Sequence, residues 1–270
     1  MIATFRKAFW DSRMGVLWLA VGLALYAAMM MSFYPMLVAQ AAELDDMIKK
    51  MPKQMIGMFY SGDLDEFSVS DPGVFLQGRY MLWAIIVLGV TVGNQAFNAF
   101  INAERTGTMD LMLSLPVSRR GYLLGRIGHT ALTVLVVLVV SLIVFLGFTL
   151  VVDEWTLSVR QQAEAILAAF FPVMVIAGFA YMINALIPSS RHFGGGLVYV
   201  FVFGAYLVHS FCVTIEALEP IRPLFLYDYY DAGQITREGL NWGHVVLLSG
   251  VALVYLGVAY WRIDQKELGV

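Results

Sequence analysis

The chain has 270 residues, 60% of them hydrophobic and only 14% charged, with a net charge of -3. Soluble domains carry about a quarter charged residues, so this composition excludes an ordinary water-facing surface, and the small net charge gives no reason to expect a nucleic-acid partner. The single cysteine, Cys212, excludes an internal disulfide and any cysteine-based metal cluster; in its apolar run it reads as a small core residue.

A membrane-spanning helix needs about 20 mostly apolar residues. Six runs qualify, over roughly 14–38, 80–101, 127–151, 165–187, 194–214 and 243–261, and none has an acidic or basic residue near its centre. Barrel strands are shorter, about 10 residues, and alternate in polarity. The expected fold class is therefore an all-α membrane protein, one transmembrane domain over residues 1–270 with six transmembrane helices. There is no internal repeat and no low-complexity tract.

The N-terminal segment places Ile2, Phe5 and Phe9 on one helical face and Lys7 and Asp11 opposite, the pattern of an amphipathic interfacial helix. Arg6, Lys7 and Arg13 before the first run, and Ala39-Gln40-Ala41 after it, have the look of a cleavable signal. The run exceeds the usual 7–15 apolar residues of such peptides, so retention is expected. Beyond it, Leu44, Met47, Met51, Met55 and Met58 recur at helical spacing, with Asp45, Asp46, Lys49, Lys50 and Lys53 mostly elsewhere and Pro52 interrupting. That suits a lid on the bilayer surface or part of an exit gate. In the second run, Thr91, Asn94, Asn98 and Asn102 form a polar stripe with Gln95 beside it. Such a stripe either bonds neighbouring helices or lines a path.

Residues 102–126 set Glu104, Arg105, Asp110, Arg119, Arg120 and Arg126 among leucines and methionines. As a helix over about 103–115, Gly107, Asp110 and Ser114 make a narrow polar stripe, and Met109, Leu111, Met112, Leu113 and Leu115 make the rest apolar. Pro116 ends it. A solvated loop would not need those apolar residues, and a spanning helix would not carry those charges. The segment reads as a short surface helix, either an anchor or a docking element. Later, Ile215–Trp242 carries Pro220, Pro223 and the aromatic run LFLYDYYD, read as an interfacial belt or a short re-entrant element.

Charge sets the orientation. With the N-terminus cytoplasmic, the inner segments hold Arg6, Lys7, Arg13, Arg105, Arg119, Arg120, Arg126, Arg191, Arg262 and Lys266 against Asp11, Glu104, Asp110, Asp264 and Glu267. The outer segments keep the other seven basic residues and fifteen acids. Both termini and residues 102–126 are then cytoplasmic, in the cell membrane.

No phosphate-cradling G-x-x-x-x-G-K loop is present, and no H-E-x-x-H or G-x-S-x-G. The four histidines, His129, His192, His209 and His244, are scattered; only His209 lies well inside a run, where a hydrogen-bonded packing role is expected. Ion-driven carriers place carboxylates within the membrane, and none is deep here. No cofactor or metal is expected in this chain.

The segment AERTGTMDLMLSLPVSRRGYLLGR resembles the one that follows the second helix in type-2 ATP-binding-cassette (ABC) permeases, where a pattern near E-x-x-x-G-T-x-[DE]-x-L-L-x-x-P-[VI]-[ST]-R occurs. Glu104, Gly107, Thr108, Asp110, Leu113, Pro116, Ser118 and Arg119 match it; Met112 stands where many members have Leu. The start FRKAFWDSRMG, the six spans and the charged ending WRIDQKELG extend the resemblance over nearly the whole chain. It implies a permease subunit of an exporter whose ATP is bound and hydrolysed on a separate ABC ATPase subunit, present in two copies, with a second permease copy completing the pathway as a homodimer or heterodimer. It implies that residues 103–115 are a coupling helix, with Glu104, Arg105, Gly107, Thr108, Asp110, Met112, Pro116 and Arg119 at the ATPase contact. Thr91, Asn94 and Asn98 are the candidates for lining the pathway. The charge-free interior favours drugs, lipids or hydrophobic peptides over ions. The alternatives are an ATPase-independent carrier or channel and a membrane anchor for an enzyme complex.

Overall fold

A computed structural model describes residues 2–51, 68–105, 118–187 and 194–265. The described residues are helical, with no strand among them, and six helices are long and apolar enough to cross a membrane. The chain is a multi-pass membrane protein. In lipid every backbone polar group must be satisfied within its own segment, which is why the apolar runs are helices.

The first span, α1 (Ile2–Ala39), is one continuous helix. The amphipathic N-terminal segment runs into it without a break, because neither Gly nor Pro interrupts the first turns. Val16, Ala20, Leu23, Ala27, Met31 and Tyr34 recur every three or four residues and are buried, as is Ala8 two turns earlier, forming one stripe that packs along the third span, α5 (Arg119–Phe148). Near its start Ser12 gives its hydroxyl proton to Ala8 O at 2.7 Å. His129 Nε2 on α5 shares a hydrogen bond with the same Ser12 Oγ, 2.5 Å away. A short helix α2 (Ala41–Lys49) follows. Its Asp45 accepts from Ser68 Oγ and Val69 N, both at 2.7 Å.

The second span starts where Asp71 caps α3 (Pro72–Phe75), accepting from Gly73 N at 2.6 Å and Val74 N at 3.2 Å, with Pro72 at the first helical position. It widens into a π-helical stretch, Leu76–Met81, and continues as α4 (Leu82–Arg105). The fourth span is broken in two, α6 (Val159–Ala168) and α7 (Phe170–Leu186). Pro172 cannot donate to the carbonyl four residues back, at Ala168, and the helix interrupts there. α6 opens with a capping box between Ser158 and Gln161.

α7 is the centre of the bundle; eleven of its seventeen residues are buried. α4 packs on one side of it and the sixth span, α10 (Trp242–Arg262), on another. Close approach is set by glycine, the device expected where lipid offers no hydrophobic drive between helices. A Cβ on Gly89 or Gly93 would lie 2.6 Å from Ile176 Cδ1 or Val198 Cγ1, and one on Gly178 only 3.1 Å from Ala252 O. The fifth span, α8 (Gly194–Thr214), packs against α4.

The connection after α8 forms 3-10 turns over Glu216–Leu224 and Leu226–Tyr229 and then α9 (Ala232–Glu238). The aromatic run is not simply a belt facing the bilayer surface. Leu226, Tyr227 and Tyr230 are buried against protein, whereas Leu224 and Trp242 are exposed. The reason is polar: Tyr227 Oη donates to Val202 O at 3.3 Å and Tyr230 Oη to Ala165 O at 2.7 Å. Ala232 N donates to Gln77 Oε1, Gln161 Nε2 donates to Thr236 O, both at 2.8 Å, and Arg237 lies 3.5 Å from Asp71. This cap closes the bundle end away from the termini. Burial raises the Tyr227 and Tyr230 hydroxyl pKa values well above the ordinary range there. Beside the cap, Tyr34, Phe75, Phe145 and Trp155 pack edge to face or tilted, with centroids 4.9–6.1 Å apart.

Candidate functional site

Two regions carry the residues the sequence singled out. One is the bundle end that bears both termini. α4 runs on through Glu104 and Arg105, so these two backbone positions prolong the second span rather than opening a new helix. Gly107, Thr108, Asp110, Met112 and Pro116 lie outside the described residues, as does most of the expected coupling helix. The chain is described again from Ser118, whose hydroxyl caps α5 by accepting from Gly121 N at 3.1 Å.

Arg119 and Arg120 begin α5, and both meet the tail of α10. Arg120 Nε lies 2.7 Å from Asp264 Oδ2, and its guanidinium sits 4.8 Å from the Tyr260 ring centroid. Arg119 Nη1 donates to Asp264 O at 3.4 Å. The two side chains of the Arg120–Asp264 pair are 43% and 47% exposed, so water screens the pair and its contribution to stability is small, on the order of 0.2–1 kcal/mol. Its effect is positional: the far side of the loop that carries the family-like motif is held to the last helix.

The near side is held more firmly. Asn184 Nδ2 on α7 donates to Phe97 O, Tyr122 Oη on α5 donates to Ala99 O at 2.9 Å, and Thr130 and Tyr181 share a hydrogen bond at 2.9 Å. α4, α5 and α7 are thus knotted together one to three turns from the loop. Sequence reasoning did not single out Asp264, Asn184, Tyr122 or Tyr181. For Asp264 a signal existed: an acid in one inner segment and a basic pair in another. A lone Asn or Tyr in an apolar run carries no such pointer to its partner.

The other region is the α4 stripe. Thr91, Asn94, Gln95 and Asn98 are all half-buried, on the face opposite Gly89 and Gly93, which pack on α7 and α8. Asn98 Nδ2 donates to Asn94 O at 2.9 Å and Asn94 Oδ1 at 2.7 Å, within the same helix. Among the described residues, no other helix supplies a hydrogen bond to Thr91, Asn94, Gln95 or Asn98. Among the described residues, the stripe does not tie one helix to another.

No group of three or more metal-ligating side chains occurs among the described residues, and no curated protein matches the chain. The family model described as ABC-2 family transporter protein matches residues 5–268. This match takes in the six spans, the Glu104–Arg119 loop and the tail that Arg119 and Arg120 hold, and the chain belongs to the ABC-2 transporter family as a membrane permease subunit of an ABC transporter.

Proposed function

We propose that this permease exports an apolar or amphipathic compound, such as a drug, lipid or hydrophobic peptide, using ATP hydrolysed on two ATPase subunits. It pairs with a second permease copy, and both termini face the cytoplasm. Residues 103–115 dock on the ATPase. Glu104, Arg105 and Asp110 set its orientation there, and Met109, Leu111 and Met112 provide packing. A push on this loop would reach the bundle from both sides. It would pass through α4 to Asn184 and Tyr122, and through Arg119 and Arg120 to the end of α10.

The observation that carries the reading is the α4 stripe. Half-buried amides with no bond to another described helix are costly against hydrocarbon but suit a wet path or a facing permease copy. Thr91, Asn94 and Asn98 are proposed to line that path. The inner-loop excess of basic residues supports the orientation, and the lack of an acidic or basic residue near the centre of any apolar run supports an apolar substrate over an ion.

The decisive test is Glu104→Lys in the complete transporter. Reversal adds a like-charge clash to the loss of a pair, so it should cut substrate-stimulated ATP hydrolysis more than Glu104→Ala does, while insertion and permease pairing persist. Normal transport and unaltered ATPase affinity in the Glu104→Lys protein would sink the coupling assignment.

A further inference from the structure

Arg79 is out of place in the second span. It is exposed and lies seven residues into a membrane span that begins at Pro72, about 10 Å along the helix at 1.5 Å per residue. No described acid pairs with it. Yet the segments at that end are rich in acids, and Asp71, one turn into the same connection, is taken by Arg237. A cation within a span that no described acid pairs marks a functional group by default. The π-helical stretch Leu76–Met81 contains it, and such widened turns concentrate at functional sites.

Arg79, Trp83 and Val87 follow one another at four-residue spacing on one face. Below Arg79 the face becomes a groove of about 420 Å³ between α1 and α4, lined by Trp18, Leu19, Gly22, Tyr26, Trp83 and Val87, with Leu23 at its floor. The wall is apolar. Its one hydroxyl, Tyr26 Oη, is occupied by donation to Arg79 O at 2.5 Å, and the Tyr26 ring is held by stacking on Tyr80 at 5.6 Å. Gly22 opens the groove, since nothing lies within 4 Å of a Cβ placed there. The groove thus combines an apolar wall with an adjoining cationic residue, Arg79, whose carbonyl holds the groove-lining Tyr26.

We propose that this groove is a binding site for an anionic phospholipid of the surrounding bilayer, one acyl chain lying between Trp18 and Trp83 and the headgroup phosphate on Arg79. Arginine reaches up along its own methylenes to the interface and presents paired donors that match a phosphate. Charge argues against a second copy of this chain as the occupant. A two-fold contact is self-complementary and would bring two Arg79 side chains to one face with no described acid between them, whereas a phosphate supplies the missing charge.

The test uses the full-length permease in nanodiscs of phosphatidylcholine doped with phosphatidylglycerol, with retained lipid read by native mass spectrometry. The wild type should retain phosphatidylglycerol in preference to phosphatidylcholine. Arg79→Gln should lower that preference about five-fold, the size expected from one basic group at an anionic lipid surface, and Arg79→Lys should keep most of it. Gly22→Leu should expel both lipids from the groove with an unchanged melting temperature, since the added side chain fills open space. An unchanged preference in Arg79→Gln, or unchanged retention in Gly22→Leu, overturns the proposal. So does an efficient disulfide between two copies in a Cys212→Ser protein carrying Trp18→Cys and Val87→Cys, which would mean that a second permease covers the face.

Discussion

Two sets of amides at similar depth in the membrane separate lining from scaffolding. Asn184 is 1% exposed and donates across helices to Phe97 O. Asn94 and Asn98 are half-buried and, among the described residues, bond within α4 alone. A cross-helix hydrogen bond in a membrane contributes about 0.6 kcal/mol on average and up to about 1.7 kcal/mol. Asn184→Leu removes one such bond and forces a branched apolar side chain against a backbone carbonyl. Overpacking adds about 1–3 kcal/mol, so a total loss of roughly 2–4 kcal/mol is expected. The double change Asn94→Leu with Asn98→Leu breaks no bond between helices of this chain and should leave stability within about 0.5 kcal/mol, as for other substitutions away from packed features. Transport should respond in the other sense, falling in the double variant while its folded yield stays normal. The assay is thermal unfolding of the purified permease beside vesicle transport with the ATPase present. If the double variant melts as low as Asn184→Leu, or transports normally, the stripe is scaffolding and the pathway reading fails.

Other expectations rest on separate contacts. Gly178→Val should destabilise by about 1–3 kcal/mol, because its Cβ would meet Ala252 O at 3.1 Å and Tyr255 Cβ at 3.3 Å; Gly250→Val, facing open space, should be tolerated, and equal melting temperatures for the two would refute the packing argument. Exchanging the charges, Arg120→Asp with Asp264→Arg, should restore most of what either single change loses, with a coupling below about 1 kcal/mol because the pair is half exposed; a double-mutant cycle on thermal stability measures it. Asp231 is held above its ordinary pKa of 3.8 mainly by burial, with the amides of Gln234 and Gly233 and the Arg237 and Arg222 charges pulling back. The folded state therefore keeps this proton to higher pH than the unfolded chain does. Stability should fall as pH rises from about 3.8 through the raised value and then level off. Asp231→Asn keeps the acceptor for Gln234 N and should remove that slope; an unchanged pH profile in the Asn variant would show that another group sets it.

Much of this was legible in the chain itself. Six apolar runs of spanning length require six helices, because lipid offers the backbone no other partner. The motif from Glu104 to Arg119, by its resemblance, pointed to a permease subunit of an ABC transporter, and the family match agrees on that. Local chemistry accounts for several boundaries that counting apolar residues did not place: Pro72 behind Asp71, Ser118 before Arg119, and Pro172, which breaks the fourth span. What the sequence could not fix was which faces meet. The inside of a span and its lipid-facing side are equally apolar, so hydrophobicity does not tell Ala252, pressed against Gly178, from Leu253, 67% exposed. Tertiary packing alone decided that Gly89 and Gly93 face α7 and α8 and thereby turned Thr91, Asn94 and Asn98 outward. It drew Tyr227 and Tyr230 into the bundle end rather than leaving them in a belt, because the carbonyls of Val202 and Ala165 accept their hydroxyls. It also left Arg79 with no acid partner among the described residues, beside an apolar groove, since the acid nearest to it in sequence, Asp71, is engaged by Arg237 from a segment more than 150 residues away.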